Sequence, residues 1–482
     1  MKLFLKKIIK KYRDMSVEMK AASWYAVGNI IQKIAPWLVM IILTHYLATE
    51  EYGIYSIFMS WLEIFEIIIT LRIYSNGYVA GLVRDDENRT TYTATMQSLS
   101  IVLIVIWTLM YLMFHKGINY ITGISTPLSI LMICSFIGTI SFGLWSSRQR
   151  VDNQYKKMLF AIIVYGLIGP IVGALTVFLN LDNPIFYVIA TRTVIQLGVA
   201  IPFFISNYKG TSTLWKKDYA IDALKYNLPL MPYYLSMILL NHSDRLMIQK
   251  IDGYEDAVSY SAAMVIFVIS GALNLSLQAW LFKELKLKDS SKDKSKLITV
   301  GTIIVAFCAI AEIVMAPEII LILGGKKYLE AIWVMPPLAI SVIVMYIYQQ
   351  YVNILFYYKK TKFILFASVF AAVCNIILNA IFIPIFGYVA GGYTSLVSYL
   401  IVMILYFVLA RKECIDNEIQ MKNYFNTKLQ MTIFIGTSIV ALSMVAVYKN
   451  AVARYLLALM MFVLLVATRK KWIPELRKGK KV

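Results

Sequence analysis

The sequence predicts an all-α polytopic membrane protein of about fourteen transmembrane helices, with two six-helix lobes in parallel pseudo-repeat and two further C-terminal helices. Three observations carry this. Of 482 residues, 60% are hydrophobic and only 15% charged, too little polar surface for a soluble chain of this length. Apolar runs of roughly twenty residues, enough to cross a bilayer as a helix, recur throughout, and Leu159 to Asn180 contains no charge. The third is the alternation of cations between successive loops.

The spans expected from these runs are 22–47, 54–72, 93–114, 126–147, 158–180, 183–205, 226–249, 256–282, 297–323, 328–357, 363–385, 389–410, 429–448 and 451–468. Taking tails and loops in order, every second segment is rich in Lys and Arg: one side holds 37 and the other 5, and five more fall inside spans. Lys and Arg collect on the cytoplasmic side, so both termini are expected there. The net charge of +20 is thus an orientation signal; it implies membrane lipids and no nucleic acid as partner. Expected divisions are 1–21, a basic interfacial segment without the long apolar core of a signal peptide; 22–215 and 216–412, the two lobes; and 413–482, the last two helices with a basic tail. Prolines in spans 1, 5, 7, 9 and 10 are candidate bends, Pro336 and Pro337 in the long tenth span among them.

No loop on the cation-poor side is long enough for a folded domain, and GGKKY at 324–328 does not fit a phosphate-binding Walker motif. The four cysteines form no CxxC pair and the three histidines are scattered, so no metal site or cofactor is expected.

The two-lobe plan rests on a repeat. ATEEYGIYSIFMS (48–60) and GYEDAVSYSAAMV (253–265), aligned at an offset of 205, match at Glu50/Glu255, Tyr55/Tyr260, Ser56/Ser261 and Met59/Met264. Lys156-Lys157 and Lys359-Lys360 agree at an offset of 203. Six spans separate the copies, so both enter the membrane in the same direction. Locally, Thr49 is expected to cap the second helix, with Glu50 and Glu51 at its positive dipole end.

LTHYLATEEYGIYS (43–56), LPLMPYYLSMILLNHSDRLMI (228–248) and NIILNAIFIPIFGYVAGGYTSLVSYL (375–400) together resemble the polysaccharide biosynthesis flippases, the Wzx/RfbX-like exporters of the multidrug/oligosaccharidyl-lipid/polysaccharide superfamily. The resemblance spans nearly the whole chain. It implies translocation of an undecaprenyl-pyrophosphate-linked oligosaccharide for O-antigen, capsule or exopolysaccharide, with a polysaccharide polymerase and a chain-length regulator as possible partners. It supplies no fixed set of binding residues.

Candidates therefore come from the ionisable and polar residues inside spans, each costly in hydrocarbon. Lys33, beside Asn29 and Gln32, and Arg192 suit an anionic phosphate; equally, they could be structural cations on backbone carbonyls. Glu63 and Glu66, at i and i+3 on one helix face, are candidates for proton coupling or for a static ion-pair network. Asp244 and Arg245 suit a structural or gating pair, with Asp244 a further coupling candidate and Arg245 a substrate candidate. Glu312 is another coupling candidate. Tyr348, Gln349 and Gln350, in YIYQQYVN (346–353), could contact sugars or simply pack. The search for function points to a polar cavity between the lobes. Two alternatives stay open: a cation-coupled multidrug exporter of the same superfamily, disfavoured by the buried cations, and a membrane polymerase or glycosyltransferase, disfavoured by the short loops.

Overall fold

The computed structural model describes residues 35–84, 87–152, 154–253, 295–358, 360–448, 450–457, 459 and 460, with isolated positions 24, 28, 256, 260, 281, 285 and 463. Lys33, Asn29 and Gln32, most of the second repeat copy, most of the eighth expected span and the end of the fourteenth lie outside them. The described residues form helices, ten of them long and apolar enough to cross a membrane. The chain is a multi-pass α-helical membrane protein. Chain packing divides it into two compact units, Met1–Leu235 and Ser236–Val482.

In the first unit, α1 (Ala35–Tyr46) and α2 (Thr49–Thr70) are followed by the short α3 (Asn76–Arg84). Then come α4 (Arg89–Thr122), α5 (Thr126–Val151), α6 (Lys156–Leu179), α7 (Pro184–Tyr208) and α8 (Lys217–Asn227). Helix α9 (Met231–Ile251) runs into the second unit. There follow α10 (Ser295–Val314), α11 (Ala316–Leu323), α12 (Met335–Tyr357), α13 (Thr361–Phe386), α14 (Val389–Asp416) and α15 (Thr427–Met444).

The internal packing of the two units repeats. In the first, α5 packs on α7, α6 on α7 and α4 on α5; in the second, α12 packs on α14, α13 on α14 and α10 on α12. The paired helices occupy corresponding places in the two halves of the chain, in line with the lysine offset of 203. Helix α15 adds to α10 and α12. Among the ten described spans α12 is the most enclosed, 89% buried, so its polar residues meet mostly protein.

Several local expectations change. Thr49 is the first residue of α2 and not its cap; Ala48 holds the capping position, and Glu51 reaches back to accept from the Ala48 N–H at 3.1 Å. Pro336 and Pro337 do not kink the tenth span. They sit in the first turn of α12, after a 3-10 segment Lys326–Trp333, where a missing N–H costs nothing. Pro232 similarly falls in the first turn of α9 and Pro317 in that of α11. The ninth span is thereby split at Met315.

That split is held by the chain's last described helical segment. Arg454 donates to both Glu318 carboxylate oxygens, at 2.7 and 2.9 Å, and to the Val314 carbonyl at 2.9 Å. Bidentate charge-assisted bonds fix orientation as well as distance. Arg454→Gln should lower the unfolding free energy by about 1–2 kcal/mol, read as a lower melting temperature of the purified protein in detergent.

Candidate functional site

The first unit encloses a cavity of about 660 Å³. Its charged lining comes from Glu63, Glu66, Arg72, Arg150 and Arg192, and its rings include Tyr55, Tyr74, Phe142 and Tyr165. Glu63, Glu66 and Arg192 were singled out in the sequence and are here brought to one place. All the lining residues belong to this one unit.

Two backbone irregularities shape the cavity. Helix α2 ends at Thr70 because Leu71 and Arg72 both adopt left-handed φ, +49° and +46°, a conformation that costs a residue with a Cβ about 1–2 kcal/mol. The break is stabilised locally: Thr70 Oγ1 donates to the Glu66 carbonyl at 2.6 Å and accepts from the Arg72 N–H at 3.1 Å. It turns Arg72 and Tyr74 back toward the cavity. Helix α6 carries the second irregularity, a π-turn over Val164–Ile168 just before Pro170. Such turns mark functional sites, and this one presents Tyr165 to the cavity. The Tyr165 ring stacks on Phe142 at 4.5 Å within a core that includes Met158, Ile162 and Ala200.

The charges are unequally committed. Glu66 accepts a short hydrogen bond from the Tyr74 hydroxyl. Arg192 lies against the Tyr55 hydroxyl and the Met59 sulfur. The Arg72 guanidinium lies 5.5 Å from the Tyr234 ring centroid. Among the described residues, neither Arg72 nor Arg192 is in an ion pair, and the Nε of each is buried without a hydrogen-bond partner. The wall thus carries two guanidinium groups whose Nε–H no described residue accepts.

Arg72 was missed as a candidate. It is one of the five cations counted inside spans and is the last residue of the expected second span, 54–72. Tyr74 carried no signal at all. Its ring packs flat on Gly143 of α5, where an added Cβ would come within 2.6 Å of the ring's root atom, and Ser147 Oγ donates to its carbonyl at 3.0 Å. Gly143→Ala should therefore displace Tyr74 and cost about 1–3 kcal/mol, checked by thermal unfolding.

In the second unit Asp244 is fully buried and accepts from Tyr260 Oη at 2.6 Å, from Asn379 Nδ2 at 2.5 Å and from the Ser395 hydroxyl. Thr394 donates to Asn379, and Ser243 to Asn375 at 2.5 Å. Asp244 is thus the hub of a network; Arg245, next to it in sequence, is half-buried. Tyr260 and Tyr55 are the tyrosines matched in the repeat. Tyr55 meets Arg192 on α7, and Tyr260 meets Ser395 on α14 at 3.5 Å. These two partners are themselves 203 positions apart. The duplicated contact is kept while its chemistry has diverged, a cation in one unit and a hydroxyl beside a carboxylate in the other.

Tyr348 and Gln350 are buried on α12, with Tyr348 stacked at 6.2 Å on Tyr399 and Gln350 reaching the Tyr346 carbonyl at 3.4 Å; Gln349 is half-buried. Glu312 is half-buried on α10, and its Oε2 has no hydrogen-bond partner among the described residues. Among the described residues, no cluster of three or more His, Cys, Asp or Glu side chains is placed to hold a metal.

Residues 19–282, more than half of the chain, match the family described as polysaccharide biosynthesis protein. The chain belongs to this family. It is similar to a protein of the Lsg locus of Haemophilus influenzae, 23% identical over 370 residues, which cover 72% of this chain and 87% of that one. Its fold is that of the lipid II flippase MurJ in an inward closed conformation (TM-score 0.70, 12% identity, 94% of this chain and 99% of MurJ). An inward-facing multidrug resistance MATE family transporter of the MOP superfamily is also similar (TM-score 0.62, 13% identity, 81% and 97%). The polysaccharide biosynthesis family and the MurJ- and MATE-like fold agree with the resemblance read from the sequence.

Proposed function

We propose that this protein is a flippase that carries an undecaprenyl-pyrophosphate-linked oligosaccharide across the cytoplasmic membrane by alternating access, with both termini cytoplasmic. The exported glycan would feed O-antigen, capsule or exopolysaccharide assembly, with a polymerase and a chain-length regulator acting after it. One observation carries the reading: two arginines, Arg72 and Arg192, line one membrane cavity with buried N–H groups left open. A diphosphate offers the acceptors they lack, while hydroxyls and rings around them suit sugars. Lys33, two residues before the described part of α1, is proposed to add a third cation. The polar residues Tyr348, Gln349, Gln350 and Arg245 remain candidates for the glycan in the second unit.

Ion coupling is proposed at the carboxylates, Asp244 first because its hydrogen-bonded network is fully buried, with Glu63, Glu66 and Glu312 as further candidates. The likeness to a multidrug transporter supports a second reading, export of organic cations. Against it, Glu66 is committed to Tyr74 and the open groups are cationic. The deciding experiment reconstitutes the protein in liposomes with a fluorescent polyprenyl-diphosphate glycan and measures its leaflet exposure. Transport of organic cations with no movement of this lipid would reverse the assignment.

A further inference from the structure

The cavity wall poses an electrostatic problem. Glu66 lies within electrostatic reach of Arg72, on the same chain segment, and ion pairs are strong where water is scarce. If the two paired, the cavity would lose a guanidinium. Yet Glu66 bonds Tyr74, and Arg72 forms no ion pair among the described residues and keeps its Nε open.

Tyr74 can hold Glu66 because it is itself anchored elsewhere. Its ring rests on Gly143, which has no Cβ to push it away, and its carbonyl accepts from Ser147 at 3.0 Å. Both anchors come from α5, so the tyrosine's position does not depend on the carboxylate. The left-handed pair Leu71 and Arg72 makes the arrangement possible: it breaks the helical path, so that Tyr74 folds back to Glu66 and Arg72 faces the cavity.

We propose that Tyr74 is a positioning residue that holds the Glu66 carboxylate away from Arg72, keeping the cavity's guanidinium groups open to a diphosphate-bearing ligand. The inference rests on the anion-binding reading of the cavity. It assigns specificity to a residue that need not touch the ligand. Without the phenol hydroxyl, Glu66 loses its donor and takes Arg72 as the nearest replacement, and the anion must then compete with an internal carboxylate.

The test measures binding of farnesyl diphosphate to the full-length protein in detergent by calorimetric titration. Tyr74→Phe should weaken binding by roughly 5- to 10-fold, the scale of one guanidinium drawn into a competing interaction. Glu66→Gln should tighten it. The double variant Tyr74→Phe/Glu66→Gln should recover at least wild-type affinity, which a packing defect could not do. A Tyr74→Phe protein that binds like wild type, or a double variant as weak as Tyr74→Phe, overturns the positioning role and leaves the anion site standing. Equal binding by wild type, Arg72→Gln and Arg192→Gln overturns the anion site and this inference with it.

Discussion

Arg72→Gln and Arg192→Gln are each expected to weaken binding of a polyprenyl-diphosphate lipid by ~10- to 100-fold, and together to abolish its translocation. The magnitude follows from the chemistry. A hydrogen bond to a charged group contributes about 1.5–3 kcal/mol, and 1.4 kcal/mol is a factor of ten. Glutamine keeps a donor and most of the side-chain volume but removes the charge, so the loss reports electrostatics and not a collapsed wall. Because neither arginine is in an ion pair among the described residues, removing one should leave no carboxylate stranded. Protein yield and melting temperature should therefore stay close to wild type while binding is lost. Lys33→Ala should behave like Arg192→Ala in a cellular assay, losing surface glycan while the protein still inserts. If the double arginine variant still exported glycan normally, the cavity would not be the substrate site.

The second large effect is expected at Asp244, and there stability and transport should separate. Asp244→Ala strands three buried donors, Tyr260, Asn379 and Ser395. Each unsatisfied group costs about 1–3 kcal/mol, so a loss of roughly 3 kcal/mol or more is expected, seen as a large drop in melting temperature. Asp244→Asn keeps the shape and can still accept through its carbonyl, and it should retain most of that stability. Its transport should nevertheless be lost, because an amide can neither take up a proton nor carry a negative charge. Asp244→Asn with wild-type transport would remove this residue from any coupling role.

Much of this protein could be read before its fold was known, and particular residues show why. Hydrocarbon enforces simple rules: apolar runs become helices, intramembrane charges are rare, and cations sort to one side. Hence Arg192, Glu63, Glu66 and Asp244 announced themselves by chemistry alone. The repeat was legible through Tyr55 and Tyr260 because both copies keep a contact to a corresponding helix, α7 in one unit and α14 in the other. Arg72 was harder. A helical reading placed it at the end of a span, and only the two left-handed residues at 71 and 72 redirect it. Tyr74 was invisible, since nothing in its sequence context distinguishes it from the chain's 33 tyrosines.

The prolines teach the same point. Several were expected to bend spans; those at 232, 336 and 337 instead begin helices, while Pro317 begins the helix that follows the break in the ninth span. A missing N–H is compatible with either outcome, and neighbouring packing chooses between them.

The sequence by itself determined that this is a multi-pass α-helical membrane protein built on a repeat, because solvation by lipid constrains every residue in a span independently of its distant neighbours. It also identified most of the charged candidates, since a charge in hydrocarbon is conspicuous wherever it sits. What only the tertiary structure decided is which charges are spoken for. Glu66 is bound by Tyr74, Asp244 by three donors, and Arg72 and Arg192 keep open N–H groups. Commitment depends on distances of a few ångströms between residues far apart in the chain, set by helix breaks and a bare glycine face.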